Sequence, residues 1–184
     1  MKVKKSPYTA LFPCPVVLVT CTDSEGKPNI ITLAWAGTVC SNPPTIGLGI
    51  RPHRHSYGLI EGSGEFVVNI PTKDILQETD FCGTVSGKDV DKFSATRLTA
   101  ELAEKVKPPL IRECPVNIEC VLKKKIPIGV HHLFLGEIVS VHVDQNILNE
   151  KGDIDFSKVS PFVYNQGEYW DLHQKIGVYG FSKQ

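Results

Sequence analysis

The sequence predicts a mainly β protein, a barrel of short strands carrying a few short helices. Three observations predict it. Apolar, β-rich runs recur at short spacing along the 184 residues. Gly, Pro, Asn and Asp punctuate them as turn signals. Stretches of helical spacing are few and brief, and no Gly-rich turn opens a long helix after a strand, which disfavours a dinucleotide-binding α/β domain.

Val16 to Thr22 is the first apolar run, and it ends in the turn residues Asp23-Ser24-Glu25-Gly26-Lys27-Pro28. Asn29 to Trp35 follows, so the two read as a hairpin. Pro43-Pro44 breaks the chain, and Thr45 to Ile50 is a third strand. Ser56 is placed to cap a short helix, Tyr57 to Glu61, that ends at Gly62 and Gly64. Glu65 to Ile70 is a fourth strand stopped by Pro71, and Thr72 to Phe81 has helical spacing. Gly83 to Lys92 is a polar loop of a length often found functional. Val116 to Lys125 and Leu133 to Val143 are two more strands, joined by Ile126-Pro127-Ile128-Gly129. Asn149 to Asp153 is a turn, and the tail is rich in aromatics: Phe162, Tyr164, Tyr169, Trp170, Tyr179 and Phe181. No repeat, low-complexity tract or linker divides the chain, so a single domain over residues 1–184 is expected.

Composition bounds the function. Twenty basic and twenty acidic residues balance, so no charge excess argues for nucleic acid. No apolar run reaches the roughly 18 residues that a membrane-crossing helix needs. The six cysteines are dispersed with no Cys-x-x-Cys pair, which speaks against a zinc ribbon, a thioredoxin motif or a disulfide scaffold. Free, mostly buried cysteines in the cytoplasm are the expectation, with no metal site; a structural zinc protein using Cys and His is the competing idea.

Chemistry concentrates between Asn29 and Pro71. Arg51, His53, Arg54 and His55 precede Ser56, so cations meet the free N–H groups of a helix start, as a phosphate requires. A solvated basic turn is the plain alternative. From Thr32 to Ser41, the small residues Ala34, Ala36 and Gly37 allow a planar ring to approach backbone, while Trp35 either walls that site or fills core. His131 and His132 open a strand, where neighbours point to opposite faces, so a single metal would seldom be held by both. Ser86 to Phe93 is either a solvated charged loop or a flap whose lysine reaches an anion. There is no Gly-x-Ser-x-Gly elbow, His-Glu-x-x-His helix or Walker loop, so a bound cofactor is the better source of chemistry.

Five short motifs in order carry a family resemblance. They are Pro13-x-Pro15-Val16-x-Leu18-Val19-Thr20, Asn29 to Pro44, Phe66 to Pro71, Asp91-Lys92-Phe93 and His132 to Val139. Together they resemble the flavin reductase-like family, most of all its flavoredoxin and ferric/flavin reductase branch. The resemblance implies an FMN-binding split β-barrel of Greek-key type and a homodimer with FMN near the subunit interface. It implies that Thr32, Ala34, Trp35, Ala36, Gly37, Thr38, Cys40 and Ser41 meet the flavin. By the same analogy Arg51, Arg54, His55 and Ser56, with Lys88 of the flap, hold its phosphate, and His53 and Phe93 complete the cofactor-binding set. His132 would lie beside the ring as the catalytic residue, with His131 on the opposite face. The implied activity is NAD(P)H-dependent reduction of flavin or ferric chelates through bound FMN. The alternatives are an electron carrier that serves a redox protein without oxidising NAD(P)H, and a flavin-storage or sensor module.

Overall fold

The computed structural model describes residues 1–183. A two-residue strand β1 (Cys14–Pro15) leads into β2 (Val17–Thr22), β3 (Pro28–Leu33), β4 (Ala36–Ser41) and β5 (Pro44–Ile50). Helix α1 (His55–Ser63) and β6 (Glu65–Ile70) come next, then α2 (Leu76–Thr84) and α3 (Lys92–Thr96). The short pair β7 (Ala100–Glu101) and β8 (Leu110–Ile111) precedes two long strands, β9 (Val116–Pro127) and β10 (His132–Val143). A final hairpin, β11 (Phe162–Asn165) and β12 (Glu168–Asp171), pairs with β1. Among the described residues no helix is long and apolar enough to cross a membrane.

Seven strands form one antiparallel sheet in the order β3-β2-β6-β9-β10-β5-β4. Its two edge strands, β3 and β4, are neighbours in sequence, separated only by Ala34 and Trp35. Two intervening residues leave the strand ends at most about 11 Å apart. The sheet therefore has to curl until its edges meet, and a barrel open along one seam results.

Burial follows from this curl. Val17, Val19 and Cys21 of β2 point inward with Leu48, Phe66 and Phe134. Leu18 and Ile30 point outward, yet α2 and the α3 region cover them with Cys82, Leu98 and Phe93. Strand β2 is thus buried on both faces, which explains its unbroken apolar run. At Gly136 a bulge shifts the β9–β10 register, and an added Cβ would strike the Phe66 ring, so only glycine fits. Asn69 of β6 ties the outside together. Its amide donates to the Leu18 carbonyl at 3.0 Å, and its oxygen accepts from the Ile111 backbone and from Asn117.

Several boundaries differ from the expected ones. The sequence assigns no strand between Trp35 and Pro43; Ala36–Ser41 is nevertheless strand β4, because β5 pairs with it across the Pro43-Pro44 turn. Ser56 is not the cap of α1: Arg54 is already the extended residue, the helix starts at His55, and the Ser56 hydroxyl accepts instead from the Asn29 amide at 2.7 Å. The Thr72 to Phe81 segment is a 3-10 turn followed by α2, which runs on to Thr84. The polar loop is shorter than Gly83 to Lys92, because Asp91 caps α3 by accepting from the Ser94 N–H. Strand β9 continues through Ile126 to Pro127, leaving a tighter connection to β10.

Glu119 of β9 is a buried carboxylate. It accepts the backbone N–H groups of Glu104, Lys105 and Val106 and a bond from His142 Nε2 at 2.5 Å. Desolvation pushes its pKa up, but these donors outweigh it and hold the carboxyl below its ordinary 4.5. Its stabilising contribution is therefore full above the unfolded value and lost as pH falls through the lower folded one. Urea midpoints should fall as pH drops below 4.5. Glu119→Gln should cost about 1.5–3 kcal/mol at neutral pH and flatten that acid dependence.

Candidate functional site

The seam of the barrel builds the site. The Trp35 carbonyl accepts from the Gly49 N–H at 2.7 Å, stitching the link between the sheet edges onto β5. Gly49 lets the two backbones approach closely there, since a Cβ would lie 3.0 Å from the Trp35 Cβ and push it aside by a few tenths of an ångström. The Trp35 ring, 39% exposed, stacks on His131 with centroids 6.1 Å apart and planes 9° from parallel. Tyr164 of β11 lies against its other neighbourhood at 6.1 Å, tilted by 53°.

Beside these rings lies a cleft of about 360 Å³. Thr32, Ala34 and Trp35 form one wall, Gly83, Tyr164 and Tyr169 another, and Arg51, Arg54 and His131 supply cations or donors. Tyr169 donates its hydroxyl to Asp80 at 2.9 Å, which fastens the last hairpin to α2. Burial and that carboxylate push the phenol up to about 12.

A smaller compartment of about 110 Å³ shares Ile31, Arg54 and Gly83 with the cleft. His53, His55, Ser56 and Lys92 line it, with Gly87 of the short loop. Lys92 is 4% exposed, and its ammonium donates to the carbonyls of Ile30 at 2.7 Å and Cys82 at 2.6 Å. Burial lowers its pKa, and Cys82 and Cys21 oppose that shift. His55 is lowered by burial and by Lys88 and Lys92, and His131 by burial and by Arg51 and His53. Among the described residues no carboxylate pairs with Arg51, Arg54 or Lys92. Arg54 is the N-cap of α1 without a side-chain capping bond, so the free N–H groups of that helix start lie beside this cation set. The compartment has what an anion needs, and the adjoining cleft has a planar wall.

The sequence-predicted residues divide. Thr32, Ala34, Trp35, Arg51 and Arg54 line the cleft; His53, Arg54, His55 and Ser56 line the compartment. Ala36 lies with His132 on a third, apolar hollow behind Trp35. Gly37, Thr38, Cys40 and Ser41 line none of these hollows, because β4 carries them along an exposed edge of the sheet. Lys88 is exposed and off the compartment lining, and Phe93 packs on the outer core. Both histidines line the apolar hollow, but only His131 also lines the cleft. His131 faces the cleft, while His132 Nδ1 meets the buried Tyr57 hydroxyl at 2.7 Å. The register fixes this, since His132 is the residue paired with Ile50. The site also takes in Lys92, Asn29, Gly49, Asp80, Tyr164 and Tyr169, none of them a candidate site residue from the sequence. The Asp91-Lys92-Phe93 motif is the available signal for Lys92, and the aromatic tail for the two tyrosines.

The flavin reductase like domain model matches residues 9–173. The chain belongs to the flavin reductase-like family. An uncharacterised protein of Archaeoglobus fulgidus is 37% identical over 149 residues, covering 81% of this chain and 83% of that one. The flavoredoxin of Desulfovibrio vulgaris (Miyazaki F) superposes with a TM-score of 0.93 at 32% identity over the whole of both chains. The flavoredoxin of Methanosarcina acetivorans gives 0.90 at 28% identity, covering 100% of this chain and 98% of that one. The seam-opened barrel is thus the split barrel of the family.

Lys92→Met should leave the Ile30 and Cys82 carbonyls buried and unpaired. The expected loss is about 1–3 kcal/mol in urea unfolding without ligand. A solvated loop lysine would show no such loss.

Proposed function

We propose that this chain binds FMN and acts as a flavin-dependent oxidoreductase. One observation carries the proposal: an unpaired cation set at a helix start adjoins a cleft walled by Trp35 and by backbone that small residues leave open. A phosphate with a planar ring attached matches that pair of hollows. Lys92, Arg54, His55 and Ser56 would hold the phosphate, and Thr32, Ala34 and Trp35 would border the ring. Bound FMN supplies hydride-accepting and electron-passing chemistry.

The protein's share is binding and orientation. Arg51 Nε donates to His131 Nε2 at 3.2 Å, so that nitrogen carries the lone pair and the proton sits on Nδ1. The lowered pKa of His131 favours this neutral form near pH 7. His131 can therefore donate one hydrogen bond from Nδ1 without being an acid that must ionise. The Asp80–Tyr169 bond fastens the aromatic hairpin to α2 at the edge of the cleft.

Reduction of flavin or a ferric chelate with NAD(P)H as donor is the activity we favour. A carrier that serves a redox protein without oxidising NAD(P)H is the second reading, and the similarity to two flavoredoxins favours it. Anaerobic titration with NADH and NADPH separates the two, since a carrier's flavin would stay oxidised. The six free cysteines fit a reducing, cytoplasmic setting. Ile176, Tyr179 and Phe181 of the tail are exposed and give a second copy apolar surface to cover, as a homodimer would. The whole chain is proposed to act as one domain.

Purified protein should be yellow and should quench added FMN fluorescence at micromolar concentration. A colourless protein without quenching would sink the proposal. Arg54→Ala should weaken FMN by about 10-fold or more while leaving riboflavin nearly unchanged, because a charge-assisted contact contributes about 1.5–3 kcal/mol. Equal weakening of both would make Arg54 structural.

His131→Ala should slow flavin reduction with little change in FMN affinity. His132→Ala should lower thermal stability by freeing the buried Tyr57 hydroxyl, with turnover nearly unchanged. Stopped-flow reduction and thermal melts on both variants decide which histidine serves the cleft.

A further inference from the structure

The cations around the site fall into two sets. His53, Arg54, His55 and Lys92 line the compartment. Arg51 lines only the cleft, on the side of Trp35 and His131. It sits in the turn between β5 and α1, where its carbonyl accepts from the Arg54 N–H at 3.0 Å. One edge of its guanidinium is committed, through Nε, to His131 at 3.2 Å. His131 is itself held flat on Trp35. The other edge has no carboxylate partner among the described residues. A guanidinium fixed along one edge and free along the other is an oriented anion receptor, suited to the paired oxygens of a phosphate.

One FMN has one phosphate, and the compartment already offers four side chains for it. A hydride donor must place its ring in the cleft, and any charged tail must then leave over the cleft rim. We infer that Arg51 docks the phosphate of a dihydronicotinamide donor and stands outside the cofactor's own phosphate site. The inference rests on the proposed flavin-binding function. Arg51 takes no part in moving the hydride; it is a binding residue, positioned by His131. A neutral acceptor has no use for it, and an acidic protein partner is the alternative owner of its free edge.

The test uses the full chain loaded with FMN, with Arg51→Gln and Arg51→Lys. Calorimetry compares nicotinamide mononucleotide, which has a phosphate, with nicotinamide riboside, which has none. Wild type should prefer the mononucleotide by about 10-fold or more, as one charge-assisted contact predicts. Arg51→Gln should erase that preference, and Arg51→Lys should retain only part of it, since an ammonium lacks the fork. FMN affinity, from fluorescence quenching, should stay within about 2-fold in both variants, as for any site outside the cofactor's contacts. Anaerobic reduction by NADH should slow about 10-fold in Arg51→Gln, by the same contact. Reduction by 1-benzyl-1,4-dihydronicotinamide, which has no phosphate, should slow less than reduction by NADH, and only as far as His131→Ala itself slows it, because Arg51→Gln also releases His131. An equal slowing with both donors overturns the inference.

Equal affinity of wild type for the two nicotinamide probes, or no binding of either, overturns the inference and leaves Arg51 to a protein partner. Parallel loss of FMN and mononucleotide affinity in Arg51→Gln overturns it too, by returning Arg51 to the cofactor's phosphate. Failure of the underlying flavin proposal shows earlier and separately, as wild-type protein that does not quench FMN.

Discussion

The structure depends on the shortness of one connection. Strands β3 and β4 occupy opposite edges of a seven-stranded sheet, yet only Ala34 and Trp35 separate them. No flat or merely twisted sheet satisfies that link, so curvature is imposed by covalent geometry before side chains choose partners. The Trp35 carbonyl to Gly49 N–H bond then extends the β4–β5 ladder into this link and holds it against β5. The same closure sets Trp35 at the surface, half-covered, with its ring between two hollows. The barrel's weakest line and its candidate site are therefore one place, which is where an open backbone and an exposed aromatic are easiest to combine.

The second constraint is electrostatic. Burying an ammonium without a counter-ion costs heavily, yet Lys92 is almost wholly buried with only carbonyls as acceptors. Two carbonyls offset part of the cost and leave the positive charge uncompensated. Arg54 and the first turn of α1 add positive potential to the same compartment. Such an arrangement is better satisfied with an anion than without one. On the flavin proposal, ligand binding should then stabilise the fold by relieving a cost already present in the free protein.

Much of the fold was legible from pattern. Strands β2 and β6 were readable as short apolar, β-rich runs bounded by turn residues, and β10 as a longer run of the same kind. Strand β4 was not, since Ala36-Gly37-Thr38-Val39-Cys40-Ser41 has weak β propensity and no buried face; pairing with β5 alone makes it a strand. The site was legible where cations cluster in sequence, at Arg51 to His55. It was hidden at Lys92, because a lysine in a polar stretch ordinarily means solvent. It was half legible at the histidine pair. Alternation says that neighbours point apart, but the phase comes from the β10–β5 register, which pairs residues more than eighty positions apart in the chain.

The phase has a chemical consequence. His132 is half-buried, edge-on to Tyr57 and bonded to its hydroxyl, on the rim of the apolar hollow. Tyr57 in turn packs at 5.0 Å against Phe134, which ties this histidine to the edge of the inner core. His131 is the one that remains available, and Arg51 and Trp35 hold it in a single orientation. Burial, and after it the neighbouring charges of Arg51 and His53, shift His131 toward its neutral form, while the bond from Arg51 fixes its tautomer. The arrangement thus yields a hydrogen-bond donor that stays uncharged across the neutral range. That suits chemistry in which the cofactor carries the electrons and the protein needs only to hold two flat groups in register.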